Sequence, residues 1–141
     1  MRYKLIPHTA DMGIRLTNKT IKGLFEDAAF ALFDILTHIE KVKPIFQRRI
    51  FVEAINYDEL LNEFLNKLLM EFMVKNNLVS KVKVLSIEEG CQNTILSAII
   101  YGERYDPARH RIKTEIKAIT FHNLYVRKVK SGYEAEVIFD V

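Results

Sequence analysis

Apolar residues recur at helical spacing in two stretches of the chain. From Thr20 onward, Ile21, Leu24, Phe25, Ala28, Ala29, Leu32, Phe33 and Leu36 form one wide apolar face. Thr20 suits the N-cap, because its hydroxyl can accept a first-turn N–H. The second stretch runs through Leu60, Leu61, Phe64, Leu65, Leu68, Leu69, Phe72 and Met73. Asn56 followed three residues later by Glu59 resembles a capping box, which predicts a helix starting near Tyr57 and fading around Lys75 to Asn77. The Phe and Met side chains in these stripes read as core positions, not as a cofactor pocket.

Elsewhere the chain alternates rather than winds. Short strands are predicted at Arg2 to Ile6, Met12 to Thr17 and Arg49 to Ile55, where β-branched residues interleave with charged ones. After the second helix the prediction is almost wholly strand: Lys81 to Ile87, Thr94 to Glu103, Arg111 to Phe121, Leu124 to Lys130 and Tyr133 to Asp140. Glu89-Gly90, Asp106-Pro107 and Ser131-Gly132 punctuate these runs as turns. The order β-β-α-β-α-β-β-β-β-β is neither a doubly wound βαβ series nor an all-β barrel. It predicts an α+β fold, with two amphipathic helices packed on a large mixed, mostly antiparallel β-sheet. With no linker, repeat or low-complexity stretch, residues 1–141 are expected to form a single domain.

Composition changes this picture little. A chain that is 49% hydrophobic and 28% charged should fold throughout. Cys91 is the only cysteine, so neither an internal disulfide nor a cysteine zinc cluster can form within the chain. The start lacks the apolar stretch of a signal peptide and no segment is long and apolar enough to span a membrane, so a cytoplasmic protein is expected. The net charge of +3 permits an acidic partner or RNA without demanding either. Its local clusters, Lys41, Lys43, Arg48 and Arg49, then Arg109, Arg111 and Lys113, read as solvated faces.

The nucleotide-binding glycine loop, the GxSxG elbow, HExxH and the EF-hand loop are all absent from the sequence. What remains is a sparse set of polar residues at the ends of apolar runs. Asp11, in His8-Thr9-Ala10-Asp11, stands at the entrance of a strand on the side of Gly13 and Arg15. It is either a turn former or a carboxylate held ready for a ligand. In Tyr133 to Val141, Tyr133, Ala135, Val137 and Phe139 share one face, leaving Glu134, Glu136 and Asp140 on the other. If the early and last strands lie close, Asp11, Asp140 and a Val141 carboxylate oxygen form an all-oxygen set suited to Ca²⁺, Mg²⁺ or Mn²⁺; otherwise the acids are merely solvated. Lys117 borders an apolar stretch, where it either pairs with an acid or aims at a phosphate or a partner's carboxylate. His8 and His122 flank these segments as acid–base groups or hydrogen-bond anchors, whereas His38 and His110 read as surface positions and Cys91 as a turn residue.

At these residues the sequence resembles the archease family over nearly its whole length. The matching blocks are His8-Thr9-Ala10-Asp11, Gly23 to Ala29, Asp58-Glu59-Leu60-Leu61 leading to Phe64-Leu65-Asn66, Gly102-Glu103, Glu115 to His122, and Val137 to Val141. Two features depart from the pattern: Phe121 stands where family members often carry Tyr, and the connection from Ile39 to Gln47 has no family signature.

The resemblance implies a protein cofactor rather than an enzyme. It would be an activator or chaperone of an RtcB-type RNA-splicing ligase, promoting GTP- and metal-dependent guanylylation and multiple turnover in tRNA splicing or RNA repair. By resemblance, Asp11, Asp140 and Val141 hold a divalent cation, Ca²⁺ ahead of Mg²⁺ or Mn²⁺, and Lys117 is the essential lysine. His8, Glu115 and His122 are supporting candidates, and RNA is met indirectly, through the ligase. Two rival readings stand beside it. One is a stand-alone metal-dependent hydrolase with Asp11 and Asp140 on the metal and His8 or His122 as general base. The other is an RNA-binding modulator of RNA-modifying enzymes that uses the basic stretches.

Overall fold

In the computed structural model, which describes residues 2–6 and 11–141, the elements run β1 (Lys4–Ile6), β2 (Met12–Asn18), α1 (Ile21–Leu36), β3 (Phe46–Ala54), α2 (Tyr57–Met73), β4 (Asn77–Glu89), β5 (Thr94–Arg104), β6 (Ala118–Val129) and β7 (Gly132–Asp140). A single 3₁₀ turn, Ile39–Lys41, follows α1. Both helices start where their caps predict. The Thr20 hydroxyl accepts the Gly23 N–H at 3.0 Å, and Asn56 Oδ1 accepts the Glu59 N–H at 2.9 Å. Helix α2 ends at Met73, and Asn76, at φ 61°, takes the left-handed conformation that closes the turn into β4. Asn56→Ala leaves the Glu59 N–H without its acceptor and should cost about 1 kcal/mol of unfolding free energy in urea titration. An unchanged midpoint would mean that another group takes over that N–H.

The α+β class, the two helices and the antiparallel pairing agree with expectation, but two details differ. The strands form two antiparallel sheets, β1-β2-β7-β6 and β3-β5-β4, not one large mixed sheet. The sheets make no contact with each other among the described residues, while each helix touches both, so the helices form the middle of three layers. This explains why α1 is buried nearly all round, from Leu24 and Phe25 through Ala28, Ala31, Leu32 and Phe33: a helix between two sheets has little solvent face. One continuous core joins Ile14, Leu16, Val137 and Phe139 of the first sheet to Val52, Val82, Leu96 and Ile100 of the second.

The second difference is the strand count, seven against eight. The predicted strands Arg111 to Phe121 and Leu124 to Lys130 are joined in β6, which passes through an irregularity between Thr120 and Tyr125 where Asn123 has φ 55°. Residues 111–117 are not sheet. They form a strap from β5 toward β6 with one isolated bridge, Thr37 to Ile112. The strap is held along its length: the Thr37 hydroxyl donates to the Arg111 carbonyl, and the Lys113 N–H to the Leu36 carbonyl at 2.8 Å. Ile116 is buried while Arg111, Lys113, Glu115 and Lys117 are exposed. The alternation in sequence thus reports extended chain with one face inward.

Candidate site at the end of the first sheet

In the β2–β7 register Met12 lies opposite Phe139. Asp11 precedes the one and Asp140 follows the other, so both carboxylates come to the same end of the sheet, and both are half-buried. On the other side of β7, Asp140 pairs with Ala118 of β6, and the Lys117 N–H donates to the Asp140 carbonyl at 2.7 Å. Three segments distant in sequence therefore meet: the entrance of β2, the end of β7 and the end of the strap. Val141, next to Asp140, packs half-buried against the core.

The electrostatics of the outer face of this sheet single out Asp140. Of the three acids on that face of β7, Glu134 accepts from the Tyr125 hydroxyl at 2.9 Å and from Arg127 at 2.7 Å, and Glu136 pairs with Arg15 at 3.4 Å. These bonds hold the Glu134 carboxyl below its usual range, the Tyr125 hydroxyl first and Arg127 next. Burial, reinforced by Glu134, pushes the Tyr125 phenol up to about 12. The Asp140 carboxylate, in contrast, has no hydrogen-bond or ion-pair partner among the described residues. Lys117 is exposed and its ammonium makes no ion pair among the described residues, so the structural pair that its place beside an apolar stretch allowed is not formed there.

The supporting candidates are placed unevenly. Glu115 is exposed on the strap two residues before Lys117, and His122 is exposed at the irregularity of β6, its N–H donating to Thr120 Oγ1 at 3.3 Å. His8 lies outside the described residues. Among the described residues no three His, Cys, Asp or Glu side chains gather as a ligand cluster. Asp11 and Asp140 offer two side-chain carboxylates, and a third oxygen ligand would have to come from Val141. Donors of this kind, all oxygen, fit a hard cation.

The sequence matches the model of the Archease protein family (MTH1598/TM1083) over residues 3–141. The chain belongs to the archease family. The archease of Methanosarcina mazei is 32% identical over 140 residues, which is 99% of this chain and 96% of that protein. The solution structure of Methanobacterium thermoautotrophicum protein 1598 superposes with a TM-score of 0.82 at 26% identity and covers 99% of both chains. The crystal structure of an archease from Thermotoga maritima, described as a possible chaperone, shares the fold with a TM-score of 0.62 at 19% identity, covering 98% of this chain and 96% of that one. No helix among the described residues is long and apolar enough to cross a membrane.

One family-like block turns out to be architectural. Glu103, of Gly102-Glu103, is buried and accepts the Lys43 N–H at 2.7 Å, contacts His110 Nε2 at 3.0 Å and pairs with Arg109. The Asp106 N–H donates to His110 Nδ1 at 2.9 Å, which places the imidazole proton on Nε2, facing Glu103. His110 is only 5% exposed, correcting its reading as a surface residue. Sequence offered little sign of this, since the partner carboxylate lies on another element and only tertiary contact joins them.

Proposed function

We propose that this chain is the protein cofactor of an RtcB-type RNA-splicing ligase, promoting the ligase's GTP- and metal-dependent guanylylation and its multiple turnover in tRNA splicing or RNA repair. The reading rests on membership of the archease family and on one observation: Asp11, Asp140 and Lys117 converge at one end of a sheet, with Asp140 and Lys117 lacking side-chain partners among the described residues. A half-buried carboxylate kept without such a partner has free-energy reason to bind a cation from outside the fold, and the exposed Lys117 ammonium beside it is open to an anion. Asp11, Asp140 and Val141 would hold a divalent cation, Ca²⁺ ahead of Mg²⁺ or Mn²⁺. Such an ion supplies positive charge for phosphate oxygens. Lys117, tied through its backbone to Asp140, would then meet a phosphate or an acidic residue of the ligase. The chain assists another protein's catalysis and needs no general base of its own.

The test is incorporation of labelled GTP into a cognate RtcB-type ligase, followed by multiple-turnover ligation. Wild-type protein should raise the guanylylated fraction and the number of turnovers. Asp140→Ala and Lys117→Ala should lose most of that stimulation while unfolding at the wild-type temperature, because neither side chain makes a bond to another of the described residues. Calorimetric titration with Ca²⁺ should show binding that Asp140→Ala loses. A competent ligase left unstimulated by the wild-type protein would sink the partnership.

A further inference from the structure

The outer faces of the two sheets differ in kind. On β2-β7-β6 the two glutamates of β7 are neutralised in pairs, as described for Glu134 and Glu136, and Asp140 is left over only at the sheet's end. On β3-β5-β4 a group of cations has no acidic partner among the described residues. The register sets outward-facing residues in rows across three strands: Gln47, Tyr101 and Lys81 in one, Arg49, Ile99 and Lys83 in the next. Arg49, Lys81 and Lys83 make no ion pair among the described residues; Arg49 donates only to Ser97 Oγ, at 3.1 Å. Beside these cations lie ring faces. Phe51 is 57% exposed with the Arg49 guanidinium 5.1 Å from its ring centre, and the Lys81 ammonium is 5.4 Å from the centre of Tyr101.

We propose that this face binds single-stranded RNA directly, with bases stacking on Phe51 and Tyr101 and phosphates meeting Arg49, Lys81 and Lys83. Charge complementarity carries the choice of occupant. A protein-docking patch has a contiguous apolar centre from which lysine is depleted, whereas here two lysines are interleaved with the apolar groups. An open antiparallel sheet with exposed rings between cations is the arrangement that holds unstacked bases. Phe51 lies opposite Ser97, four residues from Tyr101 on β5, so the rings stand about 14 Å apart and would take bases that are not neighbours in the strand. Arg49 and Lys83 flank Ile99 about 10 Å apart, wide enough for a backbone to pass between them. A row of Glu53, Ile95 and Glu88 closes one end of the platform by repelling phosphate.

The choice of RNA over DNA rests on the RNA-ligase reading; the binding surface itself does not. The experiment is fluorescence anisotropy of labelled oligouridylate with the full chain and no ligase, across a salt series. Salt-sensitive binding is expected, with a log–log slope near −1.4 to −2 for two or three phosphates. Phe51→Ala should weaken it roughly five- to a hundredfold, with Phe51→Tyr restoring it. Arg49→Gln with Lys83→Gln should flatten the slope by about 1.4. Phe51→Ala should stimulate RNA-free guanylylation as wild type does. If wild type failed to stimulate the ligase while RNA binding still followed Phe51 and Arg49, the ligase reading alone would fall. Absence of salt-sensitive binding, affinity indifferent to the Phe51 and Arg49/Lys83 changes, or tighter binding of the matching DNA overturns the proposal. So does a Phe51→Ala protein that keeps RNA binding but loses ligase stimulation, which would make the face a protein-docking surface.

Discussion

Glu103→Ala should lower the unfolding free energy by about 3–5 kcal/mol, a large share of what a domain of this size holds. The cost comes from what the carboxylate leaves behind. The Lys43 N–H, His110 Nε2–H and Arg109 guanidinium all converge on it, in a site where His110 and Glu103 are buried. Removing it strands the buried His110 Nε2–H, which water cannot reach, and leaves the Lys43 N–H without its acceptor. Burial alone would raise the Glu103 carboxyl, but the Lys43 N–H, His110 and Arg109 outweigh it and hold the group at about 2. The sign follows: a carboxyl lowered by folding contributes stability that is full above its unfolded value and is lost as pH falls toward 2. Glu103→Gln, which keeps the volume without the charge, should therefore be less stable than wild type at neutral pH by a gap that narrows below about pH 4.5. Urea midpoints of the two proteins, measured from neutral to acid pH, give that gap; a constant difference would show that the charge of Glu103 is not what holds the cluster.

Gly102→Ala should be as damaging, at about 3 kcal/mol or more. A Cβ at Gly102 would lie 2.0 Å from the Leu78 carbonyl oxygen and 3.0 Å from the Val79 Cα. Both are backbone atoms of the neighbouring strand β4, so no side chain can swing aside. Relief requires β4 and β5 to move apart, beside the register shift between Val79 and Lys81 and in the middle of a core-facing sheet. Thermal unfolding of the alanine variant gives the answer directly. A melting temperature within a degree or two of wild type would mean that the two strands separate there at little cost.

The two predictions share one consequence. The Gly102-Glu103 block could be read from the sequence as a family signature, yet its role is to seat one strand against another and to anchor the strap that ends at Lys117. Glu103 binds His110, and from there the strap is held by Thr37 and Leu36 before Lys117 meets Asp140. Damage at Glu103 is thus expected to reach the candidate site by way of the chain.

Elements whose signals are local were legible along the chain. Both helices and their caps, the strand β2, the turn at Ser131-Gly132 and the alternation of β7 follow from period, capping chemistry and turn residues within a few positions of each other. The pattern also marked Asp11, Asp140 and Lys117 as polar residues at the margins of apolar runs. The rest emerged from contacts between distant segments. Alternation at residues 111–117 reports extended backbone with one side buried, but no local pattern says whether the neighbour is a strand or, as here, the end of a helix. Nor does an apolar helix say that sheets cover it from two sides. Whether an acid is paired depends on register between strands: Glu136 meets Arg15 across more than a hundred residues of sequence and Glu134 meets Arg127 across the β6–β7 hairpin, while Asp140 is left without a partner among the described residues. In the same way Phe51 and Tyr101 became a shared face only when β3 and β5 paired. Pairing between strands is non-local, so its consequences are written in contacts and not in any one stretch of chain.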